Sequence, residues 1–191
     1  MSATSQTDIE TSPSGGLAAI RRLGAALCVA VAIGGALAEL ALAWVWLSPE
    51  YVTTLVAPHI GLAGVPIATG NATRLMGFIV SMLPLSVLFY ALHQAYELFD
   101  AFRLGNIFAA DAPVRLRRVG LCMLALAALR PLTATLLGLV LTAVNPEGQR
   151  FLIVGIGVED YMIAVFGGMI LAMGHVMVEA SRLADEHRQI V

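Results

Sequence analysis

Arg130 stands inside the apolar run 119–144, directly before Pro131. A guanidinium does not shed its proton, so at membrane depth it must meet a carboxylate, a water-filled cavity or the interface. Three carboxylates in other apolar runs could serve: Glu39, Glu159 and Asp160. Such an intramembrane charge network could relay protons or ions, or hold an anionic ligand. It could equally be a static ion pair that fixes helix register, a common device in small bundles. The residues leave these roles open, and they leave open which carboxylate meets Arg130.

A second set lies near the opposite membrane face. His93 and Glu97 are four residues apart, as are His175 and Glu179, so each pair shares one helix face. Four such donors could ligate a metal, and two histidines at similar depth could hold a haem axially. The plainer reading, polar residues placed cheaply at helix ends, is preferred, and no cofactor is expected. Cys28 and Cys122 are the only cysteines. Without CxxC spacing they read as small buried apolar residues. There is no P-loop, no glycine-rich dinucleotide turn and no Ser/His/Asp arrangement, so the chain is expected to be non-enzymatic.

These residues must be positioned by apolar elements. Of the 191 residues, 59% are hydrophobic and 13% charged, and the mean hydropathy is +0.84. No soluble domain could cover that much apolar surface, so the lipid bilayer is the expected solvent. A net charge of −2 gives no electrostatic footprint for direct nucleic-acid binding. Four stretches reach the roughly 20 residues that a spanning helix needs: 23–47, 75–99, 119–144 and 151–178. The fold class is therefore an all-α membrane protein with four transmembrane helices. Residues 1–16 read as a disordered tail, 17–180 as the transmembrane domain and 181–191 as a second tail.

Arginine placement orients the chain. With the N-terminus inside, the cytoplasmic side holds Arg21, Arg22, Arg103, Arg115, Arg117, Arg118, Arg182 and Arg188, and the outer side only Arg74 and Arg150. Both termini are expected to be cytoplasmic, with Trp44, Trp46 and Tyr51 anchoring the outer end of the first span. The outer loop 48–74 is rich in Gly, Pro and Thr and mildly apolar. Gly105 should end the second helix, and Asp111 should cap the third with Pro113 in its first turn. Arg115, Arg117 and Arg118 at the start of the third span read as facing lipid phosphates or solvent. A partial repeat matches Arg21-Arg22-Leu23-Gly24 to Arg117-Arg118-Val119-Gly120, and His93-x-x-x-Glu97 to His175-x-x-x-Glu179. That is compatible with two parallel-repeat hairpins.

Two segments carry a family resemblance. Gly105-Asn106-Ile107-Phe108 leads into Ala112-Pro113-Val114-Arg115-Leu116-Arg117-Arg118-Val119-Gly120, and the chain closes with Glu179-Ala180-Ser181-Arg182-Leu183, Glu186 and Ile190-Val191. Both resemble signatures of a bacterial membrane family, domain of unknown function 2975; the tail departs from it at His187-Arg188-Gln189. The resemblance implies four spans in a bacterial inner membrane and no established activity. It also implies a cytoplasmic partner, a small helix-turn-helix regulator that the membrane protein holds or releases, for which Arg115, Arg117, Arg118 and Arg182 would form a cytoplasmic docking surface. A regulatory or sensory role is thus the leading expectation. A small ion-coupled carrier, with a homo-oligomer to thicken its wall, comes second. The haem reading requires that the purified protein be coloured and show a Soret band; a colourless, metal-free sample excludes it.

Overall fold

The computed structural model describes residues 13–105, 111–146 and 154–188; residues 1–12, 106–110, 147–153 and 189–191 lie outside the described part. Four long helices carry the fold: α1 (Pro13–Leu47), α2 (Asn71–Arg103), α3 (Ala112–Thr142) and α4 (Val158–Arg188). Each is long and apolar enough to cross a membrane, over Ala18–Leu47, Asn71–Arg103, Ala112–Thr142 and Val158–Ala180. No strand occurs among the described residues. Helices satisfy their own backbone groups, which hydrocarbon cannot do. The chain is an all-α integral membrane protein.

The boundaries differ from the sequence expectation in places that matter. α1 begins at Pro13, inside the segment read as a disordered tail; the rest of that tail lies outside the described residues. α4 begins at Val158 and not at Phe151, after a non-helical stretch over 154–157, and continues helically to Arg188 through most of the second tail. Residues 151–153 are outside the described part. α2 ends at Arg103, where Gly105 takes a positive φ of 82°, open to glycine at no steric cost. Asp111 does not cap α3: its backbone is already helical and its side chain makes no capping bond. Instead its carboxylate accepts from Arg115 Nε at 2.7 Å, and that bond holds its carboxyl below the usual range.

The helices pack in series, α1 on α2, α2 on α3 and α3 on α4, and α1 and α4 make no comparable contact. The result is an open arc, not a closed ring. Glycines set the closest approaches, as expected where lipid supplies no hydrophobic drive between helices. A methyl on Gly24 would lie 2.8 Å from both Phe99 O and Arg103 N of α2. A methyl on Gly120 would lie 2.6 Å from Leu171 N of α4, and one on Gly174 would meet Arg117 N at 2.8 Å. Gly167 faces Met123 and Leu124 in the same way. The two Arg-Arg-x-Gly motifs therefore do the same job, each supplying the glycine where a hairpin's helices cross. The His-x-x-x-Glu motifs are not equivalent in this sense. Gly24 crosses α2 beyond His93, whereas Gly120 crosses α4 before His175, a register difference of about four turns.

The loop 48–70 is not irregular. It folds back as a cap of three contiguous helical pieces, Pro49–Tyr51, the π-helical Val52–Val56 and Ala57–His59, followed by turns with positive φ at Gly61 and Gly64. Val52, Ala57, Ile60 and Leu62 pack with Trp46 of α1 and Leu137 and Leu141 of α3 into the chain's main buried cluster. Ala68 N donates to Leu141 O at 2.9 Å and Asn145 Nδ2 to Pro66 O at 2.7 Å, sealing the cap to α3. Arg74 ties the end of α1 to the start of α2, donating to Leu47 O and to Asn71 Oδ1. Trp46 is accordingly no interfacial anchor. It is 4% exposed against 63% for Trp44, its ring covers Gly77, and its Nε1 donates to Ser81 Oγ at 3.1 Å.

Gly120→Val is expected to destabilise the α3–α4 pair by at least about 1–3 kcal/mol, since backbone and not a flexible side chain opposes the added carbons. Gly168→Val, where a methyl meets nothing within 4 Å, should be close to neutral. Thermal unfolding of both variants in one detergent tests the contrast; equal losses would refute it.

Candidate functional site

Pro131 and Pro84 interrupt the hydrogen-bond ladders of α3 and α2. Both line a cavity of about 900 Å³, reached by all four helices and roofed by His59 and Ile60 of the cap. Its size is within the range of small-molecule sites. The lining is mainly hydrocarbon, from residues such as Leu42, Leu88, Leu126 and Ile163. Three charged groups interrupt it: Arg130 from α3, and Glu159 and Asp160 from the first turn of α4.

The guanidinium bridges both carboxylates. Arg130 Nη2 donates to Glu159 Oε2 at 2.7 Å, and Nη1 lies 3.5 Å from Asp160 Oδ1. Asp160 Oδ2 accepts from Gly157 N at 2.9 Å. The carboxylates sit at the positive end of the α4 dipole, which favours them there. Their surroundings differ sharply. The Glu159 side chain is 71% exposed, whereas Asp160 is 8% exposed. Its Oδ1 is fully buried without a hydrogen bond, being near enough to Arg130 for an ion pair but not aligned for a bond.

Depth follows from the late start of α4. At about 1.5 Å per residue, Arg130 lies about 18 Å from the end of α3 at Thr142. Its partners stand at the very beginning of α4. That helix therefore opens well short of the cap-side end of α3, beside the cavity, and Gly155 and Gly157 line the same space.

Glu39 is not part of this group. Its side chain is exposed, and among the described residues it makes no ion pair with Arg130. At about 100° per residue Glu39 shares a face of α1 with Cys28 and Gly35, which are buried against α2. But α1 packs on α2 alone among the long helices. Glu39 stays exposed, while its neighbours Ala38 and Leu42 line the cavity.

The four-ligand reading of His93, Glu97, His175 and Glu179 fails on geometry. Among the described residues no group of three or more His, Cys, Asp or Glu side chains comes together. His93 and His175 are exposed, on α2 and α4, which do not pack on each other. Glu97 instead pairs with Arg115 at 3.0 Å and Glu179 with Arg182 at 3.8 Å, while His175 Nδ1 sits 2.9 Å from Leu171 O.

Those pairings also reshape the docking surface. Arg115 is held by Asp111 and Glu97, Arg117 lies under Gly174, and Arg118 Nη1 approaches Gln94 Oε1 at 3.5 Å. Much of this arginine row knits α2, α3 and α4 together, leaving the exposed Arg118 and Arg182 as its outward-facing members. His59, Thr133 and the cap were missed by sequence reasoning. The signal that could have found them is Val52, Val56 and Ile60 at i, i+4 and i+8 in a stretch read as a loop.

A family model described as a protein of unknown function, DUF2975, matches residues 68–191. It covers more than half of the chain, which belongs to that family. The match takes in α2, α3 and α4, and with them Arg130, Glu159 and Asp160. No curated protein and no solved structure gives a match.

Arg130→Leu is expected to cost about 3–5 kcal/mol, because it strands the buried Asp160 carboxylate. The double variant Arg130→Leu/Asp160→Leu should recover much of that loss. Glu39→Gln should stay within about 0.5 kcal/mol. Denaturant unfolding of the set in micelles reads this directly, and strictly additive losses would rule out direct coupling.

Proposed function

We propose that this protein is a non-enzymatic, ligand-sensing protein of a bacterial inner membrane. It reads the occupancy of the cavity and passes the state to a cytoplasmic partner, a small helix-turn-helix regulator being the kind expected. The observation that carries this reading is the shared geometry of α3 and α4. α3 contributes charge to the cavity from its middle and α4 from its first turn, and each carries arginines or tail at its other end. Between these ends the pair is locked by Gly120, Gly167 and Gly174, so a tilt imposed at Arg130 and Asp160 is transmitted along stiff helices. Gly174 lies against Arg117, which puts Glu179 level with the start of α3 at Ala112. The helix from there to Arg188 extends past α3 and is free to present a docking arm.

The arginine distribution supports a cytoplasmic placement for both termini and for this arm. The partner, and not the chain itself, would touch nucleic acid. A second reading, a small carrier acting as a homo-oligomer, is favoured by one feature: the cavity lies in an arc that α1 and α4 do not close.

Crosslinked affinity purification of the full-length protein from its native cells, beside a version cut after Ala180, tests the sensory reading. The expected outcome is a small DNA-binding protein recovered with the full chain and lost with the truncation. Recovery of the chain alone in both cases would sink the sensory reading. The carrier would then be tested by flux in vesicles, which Arg130→Ala should abolish.

A further inference from the structure

The charges around the cavity do not balance. Arg130 supplies one positive charge, and Glu159 and Asp160 supply two negative ones. The α4 N-terminus adds the equivalent of about half a positive charge, which still leaves the site short. Among the described residues no other Asp, Glu, Lys or Arg lines the cavity, and His59 in the cap is the further titratable group there. Arg130 is already engaged by both carboxylates, so no Lys or Arg among the described lining residues is left for an incoming anion. Asp160 keeps a buried oxygen without a hydrogen bond, and its residue is more than nine-tenths buried. That oxygen has only the 3.5 Å ion pair with Arg130, a carboxylate oxygen left without a hydrogen bond in a low-dielectric site is costly, and a bound cation would relieve that cost.

The remaining lining decides what kind of cation. Pro84, Leu85, Leu88, Leu126 and Leu137 offer hydrocarbon. Side-chain oxygens in the lining are few, those of Ser81, Thr133, Glu159 and Asp160, and Ser81 Oγ already accepts from Trp46 Nε1 at 3.1 Å. A small hydrated metal ion would find too few oxygen ligands in such a wall. About 900 Å³ suits a drug-sized body. Because α1 and α4 leave the arc open, such a molecule can enter from the bilayer, where amphipathic cations concentrate.

We propose that the cavity binds a monovalent amphipathic organic cation, with its charge against Asp160 and Glu159 and its apolar body against α2 and α3. The proposal rests on the sensory reading of the same cavity and names its ligand class. An aromatic or alkyl cation from outside the cell and a lipid amine from the bilayer share this chemistry.

The test uses two ions of nearly equal size and shape but opposite charge. Full-length protein is placed in nanodiscs of amine-free phosphatidylglycerol, and equilibrium binding of radiolabelled tetraphenylphosphonium and tetraphenylborate is compared. Saturable binding of the phosphonium, and none of the borate, is expected. Asp160→Asn should weaken phosphonium binding by at least about tenfold, and Glu159→Gln by less, since its side chain is largely exposed. Leu88→Trp, which fills the apolar part without changing charge, should block binding and keeps the proposal testable if Asp160→Asn does not fold. Equal binding of both ions, or phosphonium binding untouched by all three variants, overturns it. Repeating the measurement with phosphatidylethanolamine present separates the sources: competition identifies a lipid amine, and unchanged binding a soluble cation. If neither ion binds while tail-dependent partner recovery persists, the cation is wrong and the sensory reading stands. If the phosphonium binds but no partner is ever recovered, the ligand class stands and the sensory reading falls.

Discussion

A guanidinium embedded in an apolar helix keeps its proton, so the surrounding fold has to bring negative charge to it. Arg130 meets that demand with two consecutive carboxylates at the start of α4, and much else follows. Because those carboxylates also suit the positive end of a helix dipole, the helix can begin where they are. α4 thus opens at the depth of Arg130, beside the cavity. The space left alongside the rest of α3 is closed partly by the cap, whose Ile60 and Leu62 pack on Leu137 and Leu141.

Two kinds of contact divide the work. On the side of the termini, glycines let backbones touch: Gly24 on α2, and Gly120, Gly167 and Gly174 between α3 and α4. On the cap side, close packing comes from a small folded cluster built on Trp46, Val52 and Leu141. Between these two rigid ends lie the proline-interrupted middles of α2 and α3, and the cavity. A bundle that is tight at both ends and loose in the centre can hold a ligand without losing its shape. In the proposed sensory role, the α3–α4 pair would be the lever between the cavity and the helix that runs on to Arg188.

What fails to assemble is equally informative. The His93 and His175 motifs match in sequence, yet the two helices bearing them do not pack together. The crossing glycines, which the same repeat also matches, do take equivalent places. A repeat in spacing therefore carries over only where the residue's role is local packing against its own hairpin partner. Glu97 and Glu179 find arginines at hand, which satisfies them without a metal.

Four spans, their rough extents, the end of α2 at Gly105 and the need of Arg130 for a carboxylate were all legible in the residues. These follow from hydrophobic length, glycine's access to positive φ and the fixed charge of arginine, which are local properties. The choice of Glu159 and Asp160 over Glu39 was not legible, because it depends on which helix packs on which, and the pattern of α1 alone cannot show that α2 is the long helix it packs on. The cap was hidden for a similar reason: its apolar residues are few and separated by Gly, Pro and Thr, and they become a core only when Trp46 and α3 supply the other half. The late start of α4 is tertiary as well. An apolar run says where a helix could lie, but the pairing of Arg130 with the first turn of α4 decides where it does.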